Sequence, residues 1–447
     1  MDGIRTVQRY AYGETVINPI AITFTLLMGI LILILKRQYV IIPMIAVACY
    51  ITSMQRIIIA NLDFDMLRII IIFAFIRVLF RSEFQIKSFN VIDKLIIVWV
   101  IVRIITHTIL WKTTGSLVYS LGRAYVAIGL YFLFRIFIRD LEDIKIVLKA
   151  VVIISIPIVI AMILEKATQQ NIFYIFGGAR RYSEFREGRV RAQAAFPHPI
   201  LAGSFGASLF PLAAGLWCQK HESRGIAFIG LLTSLIITFA SASSGPFLSF
   251  ITGLIWLMLW VLRKHMRIIL ILCFAMMIAL QLYMDNPIWH AILRVGVVGG
   301  STSWHRFVLI DQSIRRLNEW WLVGVKSTAH WGWGLQDVTS RYVREGVDGG
   351  ILPLSLFVLI MILCFQTLVI SIKRLGNTKE AKLYWGITAS YFTHAISFIG
   401  VSYFGQMMFF WYLPTAIIAS IKSYVLADKD EYDELHSELN ASKLTPH

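Results

Sequence analysis

Eleven arginines fall in two hydrophilic stretches of an otherwise apolar chain. They are Arg180, Arg181, Arg186, Arg189 and Arg191 in residues 165–198, and Arg294, Arg306, Arg315, Arg316, Arg341 and Arg344 in residues 285–349. Only two lysines share these stretches. The planar guanidinium group contacts phosphate in a bidentate manner that lysine cannot match. The pattern favours recognition of a phosphorylated anion, and the competing interpretation is a solvated loop that touches lipid headgroups.

The segment VRAQAAFPHPILA, residues 190–202, places an arginine and a histidine just ahead of an apolar helix. Pro199 suits the first turn of that helix, where its missing N–H would have no partner. Arg191 and His198 are therefore predicted to lie near the membrane surface. His198 is either a further substrate contact or an ordinary interfacial residue.

The second stretch contains apolar residues at three- and four-residue steps, namely Phe307, Ile310, Ile314, Leu317 and Trp321. This spacing predicts an amphipathic helix along the membrane interface. A cap at residues 301–303 would place Arg306 in the first turn, where a cation opposes the helix dipole unless an anion is bound. Arg306 is thus a stronger candidate anion ligand than Arg315 or Arg316.

Candidate general bases lie in the remainder of the second stretch. Asp337, His330 and Asp348 are the ionisable groups that could take a proton from a hydroxyl group. Arg341 is a further candidate for substrate binding. So is Arg123, because an ionisable residue within a predicted span is costly and often functional. No nucleotide-binding, zinc or Ser-His-Asp motif is visible, and we expect neither a metal nor a cofactor.

Composition defines the broad class. Hydrophobic residues make up 57% of the 447 residues, above the roughly 45 to 50% of soluble domains. The net charge of +16 comes mostly from Lys and Arg between apolar segments, so it indicates membrane topology rather than nucleic-acid binding. We predict an all-α polytopic membrane bundle of twelve or thirteen helices, from apolar segments at 17–35, 39–52, 66–80, 91–110, 117–138, 146–164, 199–218, 225–240, 245–262, 268–284, 350–372, 383–403 and 405–426.

These segments divide the chain into alternating membrane and loop regions. The predicted regions are N-terminal helices (1–164), an arginine-rich loop (165–198), central helices (199–284), a large loop (285–349), C-terminal helices (350–426) and a tail (427–447). Lys and Arg concentrate in one alternate set of short connections, which the positive-inside rule assigns to the cytoplasm. Both long loops are therefore predicted to be periplasmic and the tail cytoplasmic.

Four segments together resemble the O-antigen ligase-like superfamily of bacterial membrane glycosyltransferases, which contains O-antigen ligases and Wzy-type polysaccharide polymerases. They are RAQAAFPHPILAG (191–203), SASSGP (241–246), SWHRFVL (303–309), and WGWGLQDVTSRY (331–342) leading to DGGILP. The resemblance implies a helical bundle of the GT-C type in the bacterial inner membrane, with its active site at the periplasmic face. Arg191 and Arg306 match the family's arginines at these segments and would hold the diphosphate of the donor.

The resemblance also implies the substrates and partners. The donor would be an oligosaccharide on undecaprenyl diphosphate, and the acceptor either another lipid-linked repeat unit or lipid A-core. A chain-length regulator and a flippase would be partners. Ligases of the family carry a His-Asn pair just before the helix that follows the large loop, whereas Thr339 and Ser340 occupy the matching positions here. That departure favours a polymerase over a ligase and leaves Asp337 as the first choice of base.

Two other classes compete with a glycosyltransferase. A transporter or flippase of a lipid-linked saccharide would place broken helices and ionisable residues near mid-bilayer and show an internal repeat. No repeat is visible, and the polar residues concentrate in the two loops. A non-catalytic partner of a polysaccharide secretion complex is the third interpretation.

Overall fold

The structure is a computed structural model that describes residues 15–60, 62–86, 89–284, 287, 289–290 and 302–422. It is 76% helical, in agreement with the predicted all-α class. The α-helices of the described residues are α1 Pro19–Ile34, α2 Ile41–Tyr50, α3 Met66–Phe80, α4 Val91–Trp111, α5 Thr114–Phe137, α6 Leu141–Thr168, α7 Pro199–Trp217, α8 Arg224–Ala240, α9 Ser244–Met258, α10 Met266–Tyr283, α11 Thr302–Arg315, α12 Leu317–Trp320, α13 Arg341–Gly349, α14 Ile351–Leu375, α15 Lys379–Gly400 and α16 over residues 409–422.

Each predicted apolar segment overlaps one of these helices, and several of the helices extend beyond the predicted bounds. Seven helical stretches of the described chain are long and apolar enough to cross a membrane, namely Val91–Trp111, Thr114–Phe137, Leu141–Thr168, Pro199–Trp217, His221–Ala240, Ser244–His265 and Ile351–Leu375. The apolar stretches Pro19–Ile34, Arg37–Tyr50 and Ile271–Tyr283 are shorter. The long apolar helices indicate a membrane protein, while twelve or thirteen crossings and their orientation stay predictions.

Helix α7 lies at the centre of the bundle, where it packs against α8, α9 and α15. It begins at Pro199, as the sequence predicts, and the ring of His198 caps it. Small residues let helix backbones approach closely in an apolar bundle. The buried small residues of α7 include Ala202, Gly203, Ser204, Gly206, Ala207 and Ser208.

In the described part of the chain, two short antiparallel hairpins interrupt the helices. The first pairs β1 Arg56–Ile59 with β2 Leu62–Asp65, and the second pairs β3 Glu184–Arg186 with β4 Arg189–Arg191. The second hairpin turns at residues 187 and 188, which have φ of 50° and 71°. Two positive φ angles in a two-residue turn suit the right-handed twist of the strands. The first arginine-rich loop is thus partly ordered into a hairpin that sequence periodicity does not reveal.

The predicted amphipathic helix of the second loop is present, but it ends at Arg315 and resumes as the short α12. Leu309 is its fully buried residue and joins a small hydrophobic cluster within the loop, formed with Trp320, Trp331, Leu335, Val338, Val343 and Val347. Of the five predicted apolar residues, Ile314, Leu317 and Trp321 are exposed, and Phe307 and Ile310 are half-buried. The loop therefore has its own small core.

Some predictions fall on residues that the structure does not describe. Arg294, the capping candidate Ser301 and the tail 427–447 lie outside the described residues. The described helix begins at Thr302, which places Arg306 in its second turn rather than its first. The predicted position of Arg306 at the start of its own helix is therefore wrong.

Candidate functional site

A large cavity lies where the two predicted loops meet the helical bundle. Its volume is about 2820 Å³, well above the roughly 300 to 1,000 Å³ of a site for a small ligand. Both arginine-rich loops line it, together with β1, β2, α3, α5 and the region around residues 400–412. The cavity has room for a ligand considerably larger than a typical small molecule.

Arginine dominates the charged residues around this cavity. The described arginines that line it are Arg56, Arg68, Arg103, Arg123, Arg180, Arg186, Arg189, Arg191, Arg306, Arg341 and Arg344. The acidic residues of the lining are Asp63, Asp65, Glu184, Glu187 and Asp337, and no lysine of the described chain joins them. The lining is thus cationic, and its cations are the type best suited to bidentate contacts with phosphate.

Glu165, at the end of α6, holds the second hairpin in place. Its carboxylate accepts hydrogen bonds from the backbone N–H groups of Gln193 (3.0 Å) and Ala194 (2.9 Å), and from the hydroxyl of Ser183 (3.0 Å). The chain that leaves the hairpin is therefore fixed to the membrane helix, and Arg191 at the end of β4 is fixed with it.

Arg191 is 4% exposed and has two side-chain partners. One terminal nitrogen contacts Glu184 at 2.6 Å, and the other donates to the hydroxyl of Ser243 at 2.7 Å. Its Nε is buried and has no hydrogen-bond partner. Since Ser243 directly precedes α9, Arg191 is held at the start of that helix.

Arg306 is half-buried and reaches the start of the same helix. A Cβ on Gly400 would lie 2.8 Å from its Nε, and a Cβ on Gly245 would lie 3.4 Å from its Nη2. These two glycines leave the space that the guanidinium group occupies. No hydrogen bond or ion pair joins Arg306 to any residue that the structure describes. Burial lowers the pKa of Arg306, and the neighbouring Arg186 and Arg191 lower it further.

The two predicted diphosphate ligands therefore converge on the N-terminal end of α9. This helix has no acid in its first turn, and no side chain caps it. A helix N-terminus carries partial positive charge and unpaired N–H groups, so cations beside it are unfavourable unless an anion is present. We call Arg186, Arg191, Arg306, Glu184 and His198 the hairpin cluster.

His198 lines the same part of the cavity with a defined tautomer. Its Nδ1 accepts the backbone N–H of Ile200 at 3.1 Å, so in the neutral ring the hydrogen is on Nε2, 3.7 Å from a carboxylate oxygen of Glu184. Burial and the nearby Arg191 lower the pKa of His198 to about 4. At neutral pH this ring is an uncharged hydrogen-bond donor.

Four further arginines of the lining share two carboxylates of α13. Arg103 and Arg341 contact Glu345 at 3.4 and 2.6 Å, and the side chain of Glu345 is fully buried. Arg123 and Arg344 contact Asp348 at 3.3 and 3.1 Å, and Asp348 raises the pKa of Arg344. We call these six residues the triad cluster, since each carboxylate lies between two arginines.

The structure separates the three predicted bases. Asp337 is exposed and lines the cavity, and its carboxylate has no hydrogen bond or ion pair with the described residues. Asp348 is already held by two arginines. His330 lies outside the lining, because its Nε2 contacts Glu319 at 2.7 Å on the loop surface. Only Asp337 of the three is therefore both in the cavity and unpaired.

Most predicted site residues are brought together. Arg191, Arg306, His198, Arg123, Arg341 and Asp337 line one cavity, and His330 does not. Sequence reasoning missed His305, which also lines it. Its position next to Arg306 is the only signal of it in the sequence. Ser243, the partner of Arg191, lies in the small-residue segment SASSGP but had no assigned role.

The described residues include no group of three or more His, Cys, Asp or Glu side chains placed to hold a metal ion. Three carboxylates in or near the cavity wall, those of Glu184, Glu345 and Asp348, instead pair with arginines. The described cationic groups of the site are the guanidinium groups and the N-terminal end of α9. Compared with family models and with curated proteins, the chain matches none of either.

Proposed function

We propose that the protein is a membrane glycosyltransferase that acts on saccharides linked to undecaprenyl diphosphate, and that it polymerises repeat units of a surface polysaccharide. The observation that carries the proposal is the convergence of Arg191 and Arg306 on the N-terminal end of α9. Two cations at the positive end of a helix favour a multiply charged anion between them. A diphosphate has the charge and the spread of oxygens for such a site.

The same arrangement supports transfer chemistry. When the bond between the anomeric carbon and the diphosphate breaks, negative charge develops on the leaving oxygen, and preorganised donors stabilise that charge. Arg306 and Arg191 are the preorganised donors, with the Nε2–H of His198 as a neutral third. A base on the other side of the sugar activates the acceptor hydroxyl, so direct displacement inverts the anomeric configuration. In this scheme the arginines, rather than a metal ion, stabilise the leaving group.

The test is reconstitution of the purified protein in liposomes with an undecaprenyl-diphosphate-linked oligosaccharide, with and without lipid A-core and EDTA. We expect a ladder of longer lipid-linked chains that EDTA does not abolish. Transfer only to lipid A-core would identify a ligase instead. Movement of the saccharide across the bilayer with no new glycosidic bond would identify a transporter and reject the proposal.

A further inference from the structure

His305 occupies the cavity one residue before Arg306, and its hydrogen bonding defines its tautomer. Its Nε2 lies 3.2 Å from the carbonyl oxygen of Gly334. A carbonyl oxygen can only accept, so Nε2 carries the hydrogen and donates it. In the neutral ring, Nδ1 then holds the lone pair.

The orientation of the ring points that lone pair away from Gly334, and no residue that the structure describes uses it. A Cβ on Gly334 would lie 3.9 Å from Cδ2 of His305, so the edge formed by Cδ2 and Nε2 faces Gly334. Nδ1 is on the other side of the ring. No residue in the described part of the chain makes a hydrogen bond or ion pair with it. A half-buried imidazole that lines a cavity and has a free lone pair can accept a proton from a bound ligand.

The two histidines of the cavity are therefore opposite in function. His198 uses the lone pair of its Nδ1 to cap α7, and only its Nε2–H remains available. His305 uses its N–H to bind a carbonyl group, and only its lone pair remains available. One ring can donate to a phosphate oxygen, and the other can take a proton from a hydroxyl group.

His305 is also connected to the predicted base. The carbonyl oxygen of Gly334 accepts the backbone N–H of Asp337 at 3.1 Å as well as the ring of His305. The turn that carries Asp337 is thereby tied to the helix that carries Arg306. Asp337 is the more exposed of the two groups. The imidazole belongs to the residue directly before Arg306, and since neighbouring residues of a helix do not point the same way, it faces Gly334 while the guanidinium group faces Gly400 and Gly245.

We propose that Nδ1 of His305 is the general base of the transfer, an inference that rests on the glycosyltransferase function proposed above. Nδ1 takes the proton of the acceptor hydroxyl as its oxygen bonds to the anomeric carbon. The bond from that carbon to the diphosphate oxygen breaks, and its electron pair leaves with the diphosphate beside Arg306. The proton remains on the imidazole until the products depart.

The first test compares His305→Ala, His305→Gln and Asp337→Asn in the liposome assay across a pH range. Loss of a general base typically costs 10²- to 10⁴-fold in rate. We expect a loss of about this size in both His305 variants, disappearance of the acid limb of the pH profile, and partial rescue of His305→Ala by imidazole. The Asp337→Asn variant should keep the acid limb of its pH–rate profile. Near-normal activity of His305→Gln, whose amide can still donate to Gly334, would show that the ring only holds the turn, and would overturn the proposal.

The second test does not depend on turnover. Diethyl pyrocarbonate modifies an imidazole nitrogen that has a free lone pair, so we expect mass spectrometry to find modification at His305. Undecaprenyl diphosphate should protect it. If the wild-type protein is active but the lipid does not prevent modification of His305, the ring lies away from the reacting groups. That result would reject the role of His305 and leave the transfer reaction in place. Protection in a wild-type protein that forms no product would instead reject the transfer reaction, and the base with it, while leaving the anion site in place.

Discussion

The hairpin cluster and the triad cluster are both rich in arginine, but they differ in how those arginines are paired. In the triad cluster every arginine contacts a carboxylate of α13. In the hairpin cluster three arginines share the region with one acid, Glu184, and Arg306 has no partner in the described chain. The paired charges of the triad cluster hold helices of the cavity wall together, whereas in the function proposed above the unpaired charge of Arg306 binds the ligand.

Burial explains why the difference matters. Removing one partner of a buried ion pair is strongly destabilising, because the remaining charge is neither solvated nor paired. Glu345 is fully buried between two arginines, so it holds α13 against α4. Among the described residues Arg306 has no ion-pair partner that its removal would leave unpaired, and its removal relieves repulsion from Arg186 and Arg191. Substitutions in the triad cluster should therefore lower stability. Loss of Arg306 from the hairpin cluster should instead lower activity without lowering stability.

The largest effect is expected for Glu345→Gln. Loss of the carboxylate leaves Arg103 and Arg341 without a counter-charge and should lower the free energy of unfolding by about 3 to 5 kcal/mol. Denaturant titration of the detergent-solubilised protein measures it. Asp348→Asn is the matched control, since its side chain is 20% exposed and its loss should cost about 1 kcal/mol or less. Equal losses of unfolding free energy in the two variants would mean that the greater burial of Glu345 does not make its ion pairs more important for stability than those of Asp348.

Arg306→Ala should lower activity with no loss of stability. Loss of a charge-assisted contact to a desolvated phosphate removes about 2 to 4 kcal/mol of transition-state stabilisation, or roughly 30- to 1,000-fold in rate. Initial rates with the lipid-linked oligosaccharide measure it. Arg315→Ala is the control, because Arg315 is 67% exposed and pairs with Asp311 on the same helix. A destabilised Arg306→Ala protein would assign Arg306 to the architecture instead.

Gly400→Ala should move Arg306 without removing its charge. The new Cβ would lie 2.8 Å from Nε of Arg306, too close to be accommodated unless the guanidinium group shifts. We expect about a tenfold loss of rate, equivalent to about 1.4 kcal/mol, and a nearly unchanged melting temperature. Gly225→Ala, at a position with open space around it, should be silent. An unaffected Gly400→Ala rate would argue that the exact position of Arg306 is unimportant.

His198→Asn should have the smallest effect on stability, and that effect should appear only at acidic pH. The folded pKa of about 4 is below the unfolded value of about 6.5. Between these values the unfolded chain binds a proton that the folded protein does not, so stability falls as the pH drops from about 6.5 towards 4. Asparagine keeps an oxygen that can cap α7 but does not titrate. Its melting temperature should therefore fall less steeply over this range, and identical curves would count against the buried neutral ring.

The helices and most of the candidate site could be predicted from the sequence. An apolar run of membrane length must satisfy its own backbone, which makes it helical whatever its neighbours are. The helix start at Pro199 and the helix after Arg306 could likewise be predicted, because proline at a first turn and apolar periodicity are local properties of the sequence. The second hairpin was missed because three-residue strands have no periodicity to detect, and the break at Arg315 was missed because the apolar pattern continues through it.

Which charged side chains contact each other follows only from the tertiary structure. The sequence determined that this chain is apolar, helical and supplied with arginines in two loops, because these properties are local. It did not determine that Glu345 pairs with Arg103, that Arg306 lies beside the start of α9, or that His330 lies outside the cavity. The charge state and hydrogen bonding of a side chain depend on groups distant in sequence, and only the packed helices bring those groups within a few ångströms.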